Sequence, residues 1–394
     1  MSNYCYRIFK FLLFVIIFNL TFSSCGRNIQ EQLAERKIEL NPTKSEQIRL
    51  SQLFLSADVY NFDIADVVYE RPRKIIVKNN IFYFLSKNKI IVSDEYGNLI
   101  LFLSRRGNGP GDYIEITDFQ VEDNGNILVN DATGRKMIRY STKGEYINTI
   151  NHQLIASKFI KVYDLIYLNT YDFTNEQLYR VNVWNEAENL IEQKYIKYEK
   201  VLKYLSFIEY TNFSFFNDTI SYSHSFSNTI NQLKNNDLIP RFEIDFGKHN
   251  LPKKYTKQYN DLRLFMENFR NSNYASRIDG YREGNDFLFF AYSYQDKMPY
   301  VLITKNNNEI HHFDKFEDDF LFPGVIQQTG YDLLPVFIDE NYVYVSIEAY
   351  RFIELYNLIK TSKNTKCENQ IILNEIYNQI NDESNSLIIR YKIK

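Results

Sequence analysis

The chain has 394 residues, with 46 basic and 49 acidic side chains and a formal net charge of -3, which leaves no overall field for gripping nucleic acid. It holds 32 Tyr and 31 Phe against 13 Gly, 8 Pro and 4 Met. Tyr and Phe favour strands, so this composition points to many short strands and away from disorder, coiled coil or a polytopic membrane protein.

Residues 1–24 read as a signal peptide. Arg7 and Lys10 precede an apolar run from Phe11 to Phe18 that is too short to cross a bilayer comfortably as a helix. Ser23 and Ser24 stand directly before Cys25. The pattern resembles a bacterial lipoprotein signal, which implies that Cys25 becomes the acylated first residue of the mature chain. Phe22 departs from the aliphatic residue usual in such signals. Ordinary signal cleavage and an uncleaved anchor are the competing readings. Cys5 falls in the signal, which leaves only Cys367 in the body and no pair for an intramolecular disulfide. Residues 25–44 are polar and read as a tether, and 45–394 as the folded body.

The body repeats. An alternating strand at Asn80–Leu85, a second at Lys89–Asp94, a turn at Gly97 and a third strand at Leu99–Leu103 return as Gly125–Asp131, Lys136–Tyr140, Gly144 and Glu145–Ile150. Gly97 to Gly144 is a step of 47 and Ile81 to Ile127 a step of 46. Worn copies follow around Asp164–Trp184, Asp218–Phe246, Phe287–Ile310 and Tyr342–Ile393. Within the last, Phe352–Tyr356 reads as a strand. A period of this length with about four strands per unit belongs to β-propeller blades, which bury their faces by stacking radially. The expected fold is all-β, a six-bladed propeller of four-stranded antiparallel blades. An N-terminal strand around Gln47–Leu53 is expected to complete the last blade.

Two stretches break the period. Lys254–Arg270 and Glu368–Ile380 space their apolar residues three and four apart, as amphipathic helices do. Short helical insertions are therefore expected at about 252–275 and 367–381, most simply as caps over blade edges.

One turn is distinctive. Arg106-Gly107-Asn108-Gly109-Pro110-Gly111-Asp112-Tyr113 precedes Ile116-Thr117-Asp118-Phe119 and then Gly125-Asn126-Ile127-Leu128-Val129-Asn130-Asp131. It lacks the Gly-Lys-Ser/Thr ending of a phosphate loop. Gly107, Gly109, Pro110, Gly111, Asp112 and Tyr113 instead suit a tight structural turn, where glycine permits positive φ and proline fixes its own. This run resembles an NHL-type repeat. The chain from 45 to 394, with its leader and its Tyr391-Lys392-Ile393-Lys394 ending, resembles the six-bladed β-propeller lipoproteins of Bacteroidetes. Asp112 stands where that family usually has Glu. The resemblance implies a lipoprotein of the outer membrane, on its periplasmic leaflet or at the cell surface. Its molecular role stays open.

No chemical motif emerges. The five histidines, His152, His224, His249, His311 and His312, show no His-x-His or His-Glu-x-x-His spacing. Asp314–Asp319 lacks an EF-hand's alternating ligands, and no Gly-x-Ser-x-Gly elbow occurs. Asp94 and Asp131 recur at equivalent turns, as blade architecture requires. No catalytic residue, metal site or cofactor is assigned. The leading expectation is a monomeric, non-catalytic binding or scaffold module, held to the membrane by lipid, for a protein, peptide or glycan, with no nucleic-acid partner. The alternative is a propeller enzyme of lyase or lactonase type with a metal in the central channel. That alternative needs three or four Asp, Glu, Asn or His side chains converging on the axis.

Overall fold

The computed structural model describes residues 36–62, 64, 67–171, 179–205, 213–224, 226–330, 333–361 and 369–394. The expected signal peptide, Cys25 and Cys367 lie outside the described residues.

Local sequence sets the hairpins. Asn79-Asn80, Asn217-Asp218 and Asn235-Asn236 all hold φ between 45° and 61°. Each pair is the whole loop of a two-residue hairpin, since Lys78 pairs Ile81, Phe216 pairs Thr219 and Lys234 pairs Asp237. Asn tolerates that left-handed geometry, which matches the twist of the flanking strands.

Such hairpins build six sheets, the blades of a propeller. Blade 1 runs Lys74–Lys78, Ile81–Ser86, Lys89–Asp94, Leu99–Leu103; blade 2 runs Ile116–Val121, Ile127–Asp131, Lys136–Tyr140, Tyr146–Ile150. Blade 3 is Ala156–Val162, Leu165–Thr170, Tyr179–Asn185, Leu190–Lys197; blade 4 is Phe213–Phe216, Thr219–Tyr222, Thr229–Lys234, Asp237–Asp245. Blade 5 is Ala275–Glu283, Phe287–Tyr294, Tyr300–Thr304, Ile310–Glu317. In each, the first strand is innermost and touches the first strand of the neighbouring blade. Blade 6 takes Pro335–Ile338, Tyr342–Ile347 and Leu387–Ile393 from the C-terminal part and its outer strand, Phe54–Tyr60, from the N-terminal part. That exchange closes the ring.

The closing strand lies later than the expected Gln47–Leu53. Glu46–Arg49 instead adds in parallel to the outer edge of blade 5, and Arg36–Glu39 does the same on blade 4. Of the expected tether, residues 36–44 thus already belong to the ring. The N-terminal segment wraps blades 4, 5 and 6 in turn, covering sheet edges that would otherwise offer free N–H and C=O groups.

Aromatic side chains fill the spaces between blades. Phe62 meets Phe82 and Phe84 with ring centroids 4.9 and 5.1 Å apart, and all three are buried with Tyr344 where blades 6 and 1 face each other. Offset and edge contacts of this kind suit the ring quadrupole.

Helices occupy two insertions. After blade 4 come Lys253–Thr256 and Leu262–Arg270; the Asp261 carboxylate caps the second by accepting from Leu264 N at 2.8 Å. Between the second and third strands of blade 6 come Ala349–Thr361 and Gln370–Gln379. The first of this pair corrects the strand expected at Phe352–Tyr356. Phe352, Leu355, Tyr356 and Ile359 are spaced three and four apart, and all four are buried against the blade 5 and 6 core.

Candidate functional site

The six innermost strands surround an axial cavity of about 1140 Å³. Two cross-blade contacts establish how neighbouring strands align. Lys74 Nζ donates to Asp118 Oδ1 at 2.8 Å, and four residues on, Lys78 Nζ donates to Glu122 O at 3.0 Å. The strands therefore step together down the axis, and charge can be followed by level.

At the level where the inner strands begin, a bulge recurs. Pairing shifts between Ile116 and Asp118 in blade 2, and between Ala156 and Lys158 in blade 3. Thr117 and Ser157 occupy the bulges and accept from Asn130 Nδ2 and Asn169 Nδ2, each at 2.7 Å. The residue after each bulge turns to the channel. Asp118 and Lys158 take this place in blades 2 and 3, Lys74 begins the unbulged inner strand of blade 1, and all three line the cavity.

Asp118 is 1% exposed. Its Oδ1 accepts from Lys74 Nζ and Phe119 N, and its Oδ2 from Phe159 N at 3.0 Å. Burial alone would raise this carboxyl, but Lys74, Lys158 and the hydrogen bonds outweigh it and hold the pKa below the ordinary range. Lys158 is 9% exposed, and its ammonium makes no hydrogen bond or ion pair within range among the described residues. Burial pushes its pKa down to about 8, opposed by Asp118 and assisted by Lys74, Arg73 and Arg282. Arg282 also lines the cavity and is lowered to about 10 by burial, so it stays charged at neutral pH. Its one protein acceptor among the described residues is Tyr281 O, at 3.0 Å from Nη1. Arg73 spans the rim, donating from Nη2 to Lys87 O and Ile116 O. Among the described residues, Arg73, Lys74, Lys158 and Arg282 thus lie around the Asp118 carboxylate.

The far end is different. Arg139 forks onto Glu122 at 2.8 and 2.9 Å and reaches Glu186 at 2.8 Å, while Lys161 bridges the same two carboxylates at 3.2 and 3.1 Å. Two cations and two carboxylates cancel, tying blade 2 to blade 3. Glu283 is similarly occupied, by Arg241 at 2.6 Å and Lys305 at 2.7 Å. Asp123, Asp164 and Asp218 add negative charge around this mouth. The channel is therefore polarised along its axis.

The residues singled out by sequence lie away from the channel. Gly107 N donates to Tyr113 O, Gly109 N to Asp112 Oδ2 at 2.9 Å, and Tyr113 OH to Asn88 O at 2.7 Å. Tyr140 OH donates to Gly111 O at 2.6 Å. Asp131 accepts from Ile114 N, Glu115 N and Gly134 N, and Asp94 from Tyr96 N and Asn98 N. Gly107 to Tyr113, with Pro110 between Gly109 and Gly111, thus forms a hydrogen-bonded turn linking blade 1 to blade 2. The histidines are dispersed: His152 Nδ1 accepts from Leu154 N, His249 Nδ1 lies 2.7 Å from Asn273 O, and His312 Nε2 lies 2.7 Å from Tyr292 OH. Burial lowers His152 and His312 to about 4, so both are neutral at pH 7. His311 sits 3.7 Å from Glu309 on the same hairpin, and His224 belongs to blade 4. Among the described residues no three His, Cys, Asp or Glu side chains come together to hold a metal ion. The channel cations carried no motif. Their signal was an alignment: Thr117-Asp118-Phe119 and Ser157-Lys158-Phe159 match in two flanking positions and oppose in charge.

Comparisons with known proteins agree on the fold. The sequence profile of a domain of unknown function, DUF4934, matches residues 38–392, and the chain belongs to that family. A candidate exported protein from Bacteroides fragilis is similar at a TM-score of 0.68 and 15% identity, over 91% of this chain and 99% of that one. A DUF4221 family member from Bacteroides vulgatus is similar at 0.50 and 10% identity, over 86% and 97%. Virginiamycin B lyase from Staphylococcus aureus reaches 0.39 and 14% identity over 66% and 73%, too little to bear on activity. The search of curated proteins found no match.

Proposed function

We propose that this member of the DUF4934 family is an envelope-anchored lipoprotein whose propeller is a non-catalytic binding module. It takes a protein, peptide or glycan through the mouth of its axial channel, alone as a monomer, with the outer membrane as its site of attachment. One observation carries the reading: a wide channel is lined by a largely buried lysine, Lys158, whose ammonium has no hydrogen-bonding partner among the described residues. A buried charge left without a partner is costly to folding. Retaining one at the wall of an open cavity fits a site completed by something from outside. The lyase or lactonase alternative needs three or four converging metal ligands, and the described residues bring no three His, Cys, Asp or Glu side chains together.

The leader supports the location. Ser23-Ser24-Cys25 has the form of a lipoprotein cleavage site, and a structurally similar Bacteroides fragilis chain is described as a candidate exported protein. Intact-mass analysis of the native protein will show a diacyl or triacyl addition at Cys25, and Cys25→Ala will release the protein from membranes. A soluble wild-type protein of unmodified mass removes the anchor from the proposal.

Binding is tested by capture from solubilised native envelope, comparing the wild-type protein with Ile160→Trp, which places an indole in the channel beside Lys158. The same ligand should be retained by the wild type and lost from the variant at equal thermal stability. Equal capture by both would move the site off the channel.

A further inference from the structure

We infer that the cationic end of the axial channel is a site for an oxyanion group, a carboxylate, phosphate or sulfate, seated on Lys158 and Arg282. The inference deepens the binding reading above and rests on it.

Charge at this level does not balance. Among the described residues Arg73, Lys74, Lys158 and Arg282 face Asp118, whereas at the far end Arg139 and Lys161 are matched by Glu122 and Glu186 and further carboxylates line the mouth. Hydrogen-bond capacity is unequal too. Asp118 already accepts three hydrogen bonds, from Lys74 Nζ and two backbone N–H groups. Lys158 has three N–H donors and uses none on the described residues; Arg282 uses one, at Nη1. Both line the cavity, so their unused donors face space that a ligand can enter.

The chemistry selects the guest. An ammonium and a guanidinium that open into one cavity and act on each other electrostatically match an oxyanion, because several lone pairs on one small group can accept from both. A neutral hydroxyl would leave the excess charge standing. The cavity is far larger than a lone phosphate, so the anion is the terminal group of a larger ligand. Ile76, Ile160 and Phe337 line the channel around it and offer an apolar wall to the rest of that ligand. Lys158 is the sharper determinant because its charge is removable: with a pKa of about 8, it loses its proton within a pH range where the fold can be assayed. Among the described residues, Asp118, Lys74, Arg73 and Arg282 are the charged groups that act on it most, and of these Asp118 favours the protonated form.

The test uses purified wild-type protein, Lys158→Met and Arg282→Gln, titrated with inorganic phosphate, sulfate and acetate at ionic strength held constant with chloride. Thermal midpoint and calorimetric affinity are both read. The expected result is a saturable rise in midpoint with at least one oxyanion and none with chloride. Arg282→Gln should weaken it about tenfold or more, the loss of one charged hydrogen-bond pair. Lys158→Met should abolish it while melting no lower than the wild type without anion, since a buried unpaired charge has been removed. Wild-type affinity should fall as pH rises past about 8. The three probes separate a carboxylate from a phosphate or sulfate source. No saturable response to any probe, or the same response in Lys158→Met, overturns the anion site. If channel-dependent envelope capture then persists, the binding reading survives without it. If oxyanions bind but capture is indifferent to Ile160→Trp, the anion site stands and the broader reading falls.

Discussion

Asp118 and Lys158 hold the same place after the same bulge in adjacent blades and carry opposite charges, yet the Lys158 ammonium makes no hydrogen bond to the Asp118 carboxylate. Asp118 turns instead to Lys74 on its other side and to the backbone of Phe119 and Phe159. One carboxylate thus ties blade 1 to blade 3 through blade 2, and leaves a second lysine to the channel.

Replacing that carboxylate is expected to be severe. Asp118→Asn leaves Lys74 with a neutral partner and, among the described residues, removes the carboxylate that faces Arg73, Lys74, Lys158 and Arg282. Breaking a buried pair from one side costs about 3–5 kcal/mol, readable by urea unfolding at pH 7. The pH sign follows from the lowered pKa. The Asp118 contribution is complete above the unfolded carboxyl's pKa and is lost as pH falls through the folded value. The gap between wild type and Asp118→Asn should therefore close below about pH 4, the ordinary carboxyl range. A constant gap down to pH 2 would mean that Asp118 acts by shape and not by charge.

Asp318 should behave in the opposite sense. It is 1% exposed, accepts from Tyr391 OH at 2.6 Å and from Phe320 N and Leu321 N, and sits beside an apolar cavity of about 60 Å³ between blades 5 and 6. Burial raises its pKa to about 6, and no cation is among the causes. A carboxyl raised on folding favours the native state at low pH, and that contribution is lost as pH climbs from about 4 to about 6. Asp318→Asn, which keeps an acceptor for the turn, should remove that loss. Its thermal midpoint relative to the wild type should improve between pH 4 and pH 7. A fall over that interval would show that the ionised form is the one the fold prefers.

The sequence made the ring readable, because the blade repeat returns both its turns and its strands in register: Gly97 with Gly144, Ile81 with Ile127. Short apolar runs fit a strand and a helix equally well by composition. Phe352-Ile353-Glu354-Leu355-Tyr356 has strand-like residues and a helical spacing, and burial of Phe352, Leu355 and Ile359 on one face decides for the helix. Arg36–Glu39 gave almost no signal, since an outer edge strand needs only Ile38 to face inward and carries charge elsewhere. The channel escaped notice for a related reason. Its cations come singly from different blades, and only closure of the ring brings Lys74, Lys158 and Arg282 to one place.

Gly111 tests the blade 1 to blade 2 turn. Its φ is +78°, and a Cβ there would lie 2.9 Å from the Tyr146 side chain. Gly111→Ala incurs both the left-handed penalty and a clash with the outer strand of blade 2. A loss of about 1–3 kcal/mol is expected in urea unfolding. If Tyr146→Ala, which clears the contact, restores half or more of the loss, the clash is the main cause; no restoration would assign the whole effect to backbone conformation.

The N-terminal wrap gives the last prediction. Ile38 is 1% exposed and packs with Leu40, Ile244, Phe246 and Tyr292 in the core shared by blades 4 and 5, and Leu40 N donates to Asp245 O at 2.9 Å. The strand Arg36–Glu39 therefore supplies both core volume and the partners for the outer edge of Asp237–Asp245. Those two roles separate by mutation. Ile38→Ala removes volume but keeps the pairing, and should cost about 2–4 kcal/mol as a large-to-small core change, with the protein still monomeric by light scattering. Ile38→Asp places a charge in the same core; the strand should detach, baring an edge that can pair with another molecule. Concentration-dependent association should then accompany the loss of stability. If Ile38→Asp is destabilised and remains monomeric at all concentrations, the wrap stabilises the core without guarding the edge.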